Sequence, residues 1–575
     1  MSFARGAAAA FLLWTQTQEA GAAAETLIDP TSGSELQTVQ PAAPSLAGDY
    51  LAGLVASQRL DLRAAARFLL VVQAASPDNK ELRRLTFFTA AAAGLVGEAA
   101  RLAPQVAADD PENGIARLVL LGDAAARDDW TTAESRSREL QQSGVTGAAR
   151  SLLLAWTVLP TRGLEAARQE LAPLGQLASL AVLHHLHLAL LSDAGGDTAT
   201  AAQEYEKALV SSEQRSVRLV LLVANFRARN GDLAGAKALL SDYLKDAPGA
   251  AIVADSLAAL QNSAPPQAVV ANAREGLAEV FFQVASILAQ DEASDSALVQ
   301  GQLARHLKPG FDAAAVLLGE LAQKRAQRGE AIDAFAAVGP QSAYYSTAVL
   351  GMAEELYRSG RIEEAVVELQ ALTEARAHDF VPPFRLGNLF RAERRFADAV
   401  GVYETAVARL PQILPQHWPV LYYRGIAYER TDAWVAAEAD FRRALELEPE
   451  QPQVMNYLAY SLVERQENLG EARAMLLRAV ELAPRDGYIV DSLGWALYRL
   501  GEFAGAVEQL ERATELEPAE AVINDHLGDA YWRVGRKREA RVQWQRALSL
   551  APAQDLDEAK VREKLVQGLP DTALQ

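Results

Sequence analysis

Apolar residues recur with helical spacing along most of the chain, beginning near Asp49. In one clear stretch, Ala506 is followed by Leu510 and Ala513, at the i+4 and i+7 spacing that places side chains on one helix face. Strict alternation of apolar and polar residues, the pattern of a half-buried strand, is almost absent. Turn residues separate the helical stretches at a nearly constant interval. The pattern therefore predicts an all-α chain of short helices.

The interval is that of a repeated helical hairpin. One window contains Leu493-Gly494, Tyr498, Gly501, Ala506, Leu510, Ala513 and Pro518, and 34 residues later it recurs as Leu527-Gly528, Trp532, Gly535, Ala540, Trp544, Ala547 and Pro552. The small residue after Leu lets two helices approach closely, and the later glycine supplies a left-handed cap at the turn. The alanine leaves room where the helices cross. Proline ends the second helix because it cannot donate a backbone hydrogen bond.

The alanine that opens the second helix gives the register of fourteen hairpins. It falls at Ala65, Ala99, Ala133, Ala167, Ala201, Ala236, Ala297, Ala331, Ala365, Ala399, Ala437, Ala472, Ala506 and Ala540. Most steps are 34 or 35 residues. A step of 61 marks a break near Pro265-Pro266, and a step of 38 carries four extra residues near Pro411 to Pro419.

This pattern resembles the tetratricopeptide repeat, a 34-residue helix–turn–helix unit. The resemblance covers residues 49–552 and is strongest over 380–552. It implies a right-handed superhelix, an α-solenoid of about 14 hairpins, with a concave face lined by the first helix of each pair. In such a solenoid each repeat contacts only its neighbours.

The irregular steps in the register and the changes in composition divide the chain into segments. Residues 1–24 resemble a weakly charged signal peptide with an A-x-A pattern at Ala20-Gly21-Ala22, and an uncleaved N-terminal extension is the alternative. Residues 25–48 have the composition of a flexible spacer. The remaining predicted segments are a degenerate N-terminal repeat array (49–261), a break (262–270), a middle array (271–411), a well-matched C-terminal array (412–552), and a capping helix with a tail (553–575). Most of the charged residues of that helix are expected to face water.

Composition excludes several classes of function. The 575 residues carry 74 acids against 55 bases, a net charge of −19, which argues against a nucleic-acid partner. There is no cysteine, so thiolate metal sites and cysteine nucleophiles are excluded. No stretch predicts a transmembrane span.

No catalytic chemistry is predicted either. The chain contains no phosphate-binding loop, H-E-x-x-H or G-x-S-x-G motif. The histidine cluster of His184, His185 and His187 lacks the converging ligands of a zinc site, and a partly exposed helix surface is the favoured interpretation. The sequence thus predicts no enzyme, no cofactor and no metal.

A partner surface is predicted on the first helices of the last five hairpins. Its residues are rich in Tyr, Trp and Arg, the types that dominate protein–protein hot spots, although the whole chain is only 7% aromatic. Packing between repeats is the alternative role of these side chains. The predicted partner-binding residues are Phe384, Asn388, Arg391, Tyr422, Tyr423, Asn456, Tyr457, Tyr460, Tyr488, Asp491, Trp495, Tyr498, Arg499, Asp525, His526, Asp529, Trp532 and Arg533. Trp544 is instead expected in the core.

Residues 488–548 resemble the carboxyl end of a proteobacterial family of envelope-associated repeat proteins. One member is a periplasmic lipoprotein that binds and activates a carboxyl-terminal processing protease. The resemblance implies a periplasmic adaptor, possible protease partnership and a role in envelope protein quality control or assembly. A lipoprotein needs a cysteine at its cleavage site, so lipid anchoring is not expected here.

The sequence therefore predicts a non-enzymatic scaffold that holds a partner protein or peptide in the concave groove of the solenoid. Two alternatives are a self-assembling structural protein and a cytoplasmic scaffold of the same fold. The oligomeric state is left open.

Overall fold

The protein is described here by a computed structural model covering residues 45–140, 144–247, 249–262, 266–290, 295–553 and 556–570. These residues form 29 α-helices and no strand, which confirms the predicted fold class. No helix within them is long and apolar enough to cross a membrane. The predicted signal peptide and nearly all of the predicted spacer lie outside the described residues.

The N-terminal helices follow one another in hairpins. They are α1 (Leu46–Gln58), α2 (Leu62–Ala75), α3 (Lys80–Ala92), α4 (Val96–Asp109), α5 (Gly114–Ala126), α6 (Trp130–Arg138), α7 (Gly144–Leu171), α8 (Ala181–Ala194), α9 (Thr198–Ser211), α10 (Val217–Arg229), α11 (Leu233–Asp246) and α12 (Ala251–Asn262). The helix α7 bends at Gly163, where φ is 82°, so its two halves together occupy one hairpin position. Several helices begin at an Asp or Asn whose side chain accepts a backbone N–H of the first turn, as Asn79 does from Leu82.

Eight hairpins follow the predicted break. Their helices are α13 (Ala273–Leu288), α14 (Asp295–Leu307), α15 (Asp312–Lys324), α16 (Arg328–Ala336), α17 (Tyr345–Arg358), α18 (Ile362–Ala375), α19 (Val381–Ala392), α20 (Phe396–Ala408), α21 (Trp418–Glu429), α22 (Trp434–Leu447), α23 (Pro452–Glu464), α24 (Leu469–Leu482), α25 (Gly487–Arg499), α26 (Phe503–Leu516), α27 (Ala521–Arg533) and α28 (Lys537–Ser549). The four extra residues before α21 contain a 3₁₀ turn, Pro415–His417. A single helix, α29 (Glu558–Gln567), follows the last hairpin.

The predicted register is confirmed. All fourteen register alanines are fully buried, as expected where the second helix crosses the first. A left-handed residue also recurs between the two helices of a hairpin, for example at Leu60, Gly94 and Asp128, and at Gly501 and Gly535. Glycine adopts this conformation without steric cost, whereas Leu60 and Asp128 do not. The turn is therefore set by the hairpin geometry as well as by local preference.

First helices form the inner side of the array. Consecutive first helices contact each other from α13 to α21 and from α23 to α27, whereas consecutive second helices make no contact of that extent. In a curved row, the elements that approach each other most closely lie on the inside of the curve. The concave face is therefore lined by first helices, as the sequence predicts.

The expectation that each repeat contacts only its neighbours is wrong for the N-terminal half. The hairpin α13–α14, which we call the insert hairpin, packs against α3, α5, α7 and α8. One hydrophobic core runs through this region, from Ala66 to Ala314. The concave face that the N-terminal first helices were expected to line is therefore filled by the chain itself.

A buried polar chain ties the insert hairpin to the N-terminal helices. Trp156 Nε1 donates to His187 Nδ1 at 3.0 Å, and His187 Nε2 lies 3.1 Å from Gln283 Oε1. Gln283 Nε2 then donates to Glu279 Oε1 at 3.0 Å, and Arg218 Nε donates to the same oxygen at 3.0 Å. A buried polar group is costly when it is unpaired. These hydrogen bonds therefore fix the position of the insert hairpin against the N-terminal helices.

Candidate protein-binding surface

All eighteen predicted partner-binding residues lie on five first helices, α19, α21, α23, α25 and α27, which we call the inner row. The repeat places them there because each is one period, or close to one, from its counterpart in the next hairpin. Their predicted position on the concave face agrees with the contacts between first helices. Their role in binding a partner stays a prediction.

Aromatic rings connect three helices of the inner row. The rings of Phe384 and Tyr423 stack with centroids 6.2 Å apart, and the centroids of Tyr423 and Tyr422 are 5.1 Å apart. Tyr422 meets Tyr457 edge to face at 6.1 Å, and the guanidinium of Arg391 lies 4.5 Å above the ring of Tyr423. Burial raises the pKa of Tyr422 and of Tyr423, so both phenols are neutral. We call Phe384, Tyr422, Tyr423 and Tyr457 the aromatic row.

A second aromatic group connects α25 to its neighbours. The Trp495 ring stacks on Tyr498 at 4.8 Å and on His526 at 4.1 Å. Trp495 Nε1 also donates to Glu464 Oε1 at 2.6 Å, and Arg499 approaches the same carboxylate at 3.2 Å. These contacts join three successive hairpins, so they help to fix the angle between neighbouring repeats.

His526 and Asp491 form a buried tie between α27 and α25. His526 Nδ1 lies 3.0 Å from Asp491 Oδ1. Burial alone would lower the pKa of His526, but the charge and hydrogen bond of Asp491 outweigh burial and raise it. Asp491 therefore favours the protonated form of His526, and both side chains face a repeat neighbour.

The last helix covers the end of the inner row. Lys564 Nζ lies 2.8 Å from a carboxylate oxygen of Asp525 and 2.8 Å from one of Asp529. Trp532 Nε1 donates to the carbonyl of Leu569 at 3.1 Å, and Arg533 donates to the carbonyl of Pro570 at 2.8 Å. Most charges of the capping helix were expected to face water, and Lys564 is an exception because it pairs with Asp525 and Asp529.

The eighteen residues fall into groups by exposure. Seven are buried among neighbouring repeats, so the structure does not present them to a partner: Phe384, Asn388, Asp491, Tyr498, His526, Asp529 and Trp532. Ten are half-buried: Arg391, Tyr422, Tyr423, Asn456, Tyr457, Tyr460, Trp495, Arg499, Asp525 and Arg533. Tyr488 is exposed. Inter-repeat packing thus accounts for much of the aromatic enrichment that the sequence shows.

Two half-buried residues carry unsatisfied polar atoms. Arg391 Nε and Asn456 Oδ1 are shielded from solvent, and neither has a hydrogen-bond partner among the described residues. They lie on α19 and α23, the two outer helices of the three that the aromatic row connects. One is a donor and the other an acceptor, which are the two groups that a peptide backbone can satisfy.

The sequence predicted the position of Trp544 but not the contacts of Lys564. Trp544 is fully buried, as predicted, and donates to Asp529 Oδ1 at 2.8 Å. Lys564 was not predicted. Its distance along the chain from Asp529 is 35 residues, the same as from Asp491 to His526 and from Glu464 to Arg499. That recurring offset is the signal that could have identified it.

The three neighbouring histidines make different contacts, although the rings of His184 and His185 meet edge to face with centroids 5.1 Å apart. His184 Nδ1 lies 3.2 Å from the carbonyl of Leu171, and His185 Nδ1 lies 2.7 Å from Glu204 Oε2. His187 is fully buried against Trp156, so the prediction of a partly exposed surface is wrong for this residue. The described residues contain no group of three or more side chains arranged to hold a metal ion.

Comparison with known proteins agrees with the repeat pattern. The sequence model of the tetratricopeptide repeat family matches residues 384–452, 436–487 and 492–555. A TPR repeat-containing protein of Pseudomonas aeruginosa is 32% identical over 202 residues, which are 35% of this chain. The chain matches about one third of that relative's length, 33%.

Two solved structures align with this chain over nearly their whole length. The Cut9–Hcn1 hetero-tetramer of APC/C has 14% identity and a TM-score of 0.37, with 87% of this chain and 98% of that chain covered. A tetratricopeptide repeat protein from Parabacteroides merdae has 16% identity and a TM-score of 0.36, with 44% and 97% covered. Within the all-α superhelix of this protein, the hairpins from residue 384 to residue 555 are therefore tetratricopeptide repeats.

Proposed function

We propose that this protein is a non-enzymatic scaffold that binds an extended segment of a partner protein along the inner row, between α19 and α23. The observation that carries the proposal is the pair of shielded, unsatisfied atoms, Arg391 Nε and Asn456 Oδ1, beside the aromatic row. An unsatisfied buried polar atom costs about 1–3 kcal/mol. In this proposal a rotation of each side chain brings the atom to the partner backbone, and the hydrogen bond formed there relieves that cost.

The aromatic row supplies the rest of the binding energy in this proposal. Tyr422, Tyr423 and Tyr457 are half-buried, so each ring keeps part of its surface for contact. Aromatic side chains bury large areas with few rotatable bonds, which suits them to anchor a partner. Arg391 stacks on Tyr423, so its guanidinium is already oriented before a partner arrives.

The test is affinity capture with the full-length chain, followed by mass spectrometry. The variant combines Arg391→Gln and Asn456→Ala. A matched control combines Arg443→Gln and Glu446→Gln, which removes an exposed ion pair from the second helix α22. A partner recovered with the wild type and the control, and reduced about tenfold or more with the variant, supports the proposal. Equal recovery with all three proteins, with unchanged circular dichroism, contradicts it.

We also propose that the protein acts in the periplasm, as an adaptor in envelope protein quality control or assembly. Support comes from the signal-like residues 1–24 and from the resemblance of residues 488–548 to envelope adaptors, one of which binds a processing protease. Mass spectrometry of the mature N-terminus is the test. A start near Ala23 or Glu25 supports export, and an intact Met1 or Ser2 favours the cytoplasmic alternative. Direct binding to a purified carboxyl-terminal processing protease tests the partner.

Self-assembly is a second candidate, favoured by one observation. The first hairpin exposes six large apolar side chains: Leu46, Tyr50, Leu51, Val55, Phe68 and Val71. Apolar surface of this kind at the end of a solenoid suits contact with a second copy of the chain. Light scattering over a wide range of concentrations tests this candidate, and a mass that stays monomeric throughout rules it out.

A further inference from the structure

A cleft between the first hairpin and the insert hairpin gathers basic side chains. Its volume is about 390 Å³, and Arg63 and Arg67 of α2 line it together with Arg305 and His306 of α14. Among the described residues, no carboxylate lines the cleft. In a chain with a net charge of −19, a cleft lined by three arginines and a histidine is an exception to the overall charge pattern.

The basic groups lack partners inside the cleft. Arg305 Nε and His306 Nε2 are shielded from solvent and have no hydrogen-bond partner in the part of the chain that the structure describes. Arg63 bonds outward to Asp333 at 3.0 Å, and that pair is exposed. Burial and the nearby charge of Arg63 both lower the pKa of Arg305, and burial lowers the pKa of His306. Arg67 and Arg305 therefore bring positive charge to the cleft, and no carboxylate among the described residues lines it.

Acids lie near the cleft without lining it. Asp333 pairs with Arg63 at 3.0 Å, and Glu330 lies in an adjoining cavity with Arg63 and Arg305, where it accepts the backbone N–H of Leu62 at 3.1 Å. Asp123 acts on His306 from a distance but is itself paired with Arg127 at 2.6 Å, and Asp312 acts on Arg305 without lining the cleft. The last turn of α14 favours a cation because helix carbonyls point there. The helix dipole explains a positive side chain at the end of α14. It does not explain why Arg63 and Arg67 of α2 lie at the same cleft.

The geometry points to a binding site for a phosphate group at this cleft, contacted by Arg67 of α2 and by Arg305 and His306 of α14. Guanidinium groups match the oxygens of phosphate in charge and in geometry. Free phosphate and a phosphate monoester share this chemistry, and the volume of the cleft leaves room for an organic substituent. Because α2 and α14 are far apart in sequence, a bound anion joins the first hairpin to the insert hairpin and stabilises the filled groove.

Isothermal titration calorimetry on the full-length protein tests the site, with inorganic phosphate and glycerol phosphate as separate probes and chloride at matched ionic strength as the reference. One site per chain is expected, with a dissociation constant below about 1 mM. The probe with the lower dissociation constant shows whether the site prefers free phosphate or a phosphate monoester. Phosphate should also raise the thermal midpoint of the wild type.

Two variants and a control decide the outcome. Arg305→Gln and Arg67→Gln should each weaken binding about tenfold or more, because each removes a charged hydrogen bond. Arg67 is exposed, so its variant keeps the test valid if Arg305→Gln fails to fold. The control is Arg473→Gln on α24, which removes an exposed ion pair with Glu502. This variant should bind the probe as the wild type does. No heat above the chloride reference at about 10 mM probe, or binding that survives both variants, overturns the proposal.

Discussion

Single residues decide how closely the insert hairpin approaches the N-terminal helices. Gly276 of α13 faces the indole of Trp156, and a Cβ atom at this glycine would lie 2.1 Å from the ring. The ring cannot move freely, because its Nε1 donates to His187. Close contact here therefore depends on the absence of a side chain at residue 276.

We expect Gly276→Ala to destabilise the N-terminal half by about 1–3 kcal/mol, because the added methyl overpacks a filled core. Gly97→Ala is the matched control, since Gly97 lies in α4 and a methyl group added there would meet no neighbouring side chain within 4 Å. The control should be neutral or slightly stabilising, as alanine favours helices. Hydrogen exchange of α7 and α13 measures both. Equal exchange in the two variants would show that the helices yield at this contact.

His187 makes the stability of the same region depend on pH. Burial lowers its pKa to about 4, whereas an unfolded histidine titrates near about 6.5. The folded pKa is the lower one, so this contribution to stability is complete above the unfolded pKa and is lost as the pH falls from there toward 4. Protonation would also disrupt the hydrogen bond that His187 Nδ1 accepts from Trp156.

Between pH 7 and pH 5 the wild type should therefore lose about 2 kcal/mol of unfolding free energy that a variant lacking the imidazole keeps. The measurement is denaturant unfolding of wild type and His187→Gln at both pH values. His378→Gln controls for the loss of a histidine, since His378 is exposed. If all three proteins show the same pH dependence, another group is responsible.

At the scale of elements, ionic pairs tie α23 to α25, α25 to α27 and α27 to the final helix. The pairs Asp491 with His526, Glu464 with Arg499 and Asp529 with Lys564 all have the same offset along the chain. The final helix, α29, thus continues the row by supplying Lys564. Burial raises the pKa of Asp529, although Lys564 opposes this shift, so the pairing matters for this carboxyl.

Lys564→Met should destabilise the last hairpin by about 3 kcal/mol, because it leaves Asp525 and Asp529 facing each other without a cation. Lys560→Met on the same helix is the control, because Lys560 is exposed. Hydrogen exchange of α27 should accelerate in the first variant and not in the second. Identical exchange in both would mean that α29 stabilises the end of the array by apolar contact alone.

At the scale of the whole molecule, two regions pack in different ways. The N-terminal helices close around the insert hairpin and share one core with it, whereas α21 to α29 form a separate core by contact between successive repeats. Arg218 and Glu279 lie inside the closed region and form an almost fully buried ion pair. Removal of one partner from such a pair leaves an uncompensated charge.

Arg218→Met should therefore accelerate hydrogen exchange in α10 and α13 and leave α21 to α28 unchanged. Arg227→Met, on the same helix α10, removes a more exposed pair with Glu206 and should have a small effect, within about 1 kcal/mol. A uniform change along the chain after Arg218→Met would show that the two regions unfold as one unit.

The sequence by itself determined the helices, the hairpin period, the register alanines and the burial of Trp544. These features follow from spacing, turn residues and side-chain size, which act within one repeat or between adjacent repeats. It also placed the candidate binding residues on first helices, because the repeat carries each position forward by one period. Their exposure was less predictable, since the same tyrosines, tryptophans and arginines serve both packing and binding.

Only the tertiary structure decided that α13 and α14 fill the N-terminal face and that α29 covers Asp525, Asp529 and Trp532. The insert hairpin follows the 61-residue step and keeps the 34-residue period with the next hairpin, and neither spacing indicates that it packs against α3, α5 and α7. Those contacts join residues more than one hundred positions apart, as between Arg274 and Asp128, and they depend on how the chain turns after α12. Shape complementarity, such as Gly276 against Trp156, selects that arrangement, and it exists only once both surfaces have formed.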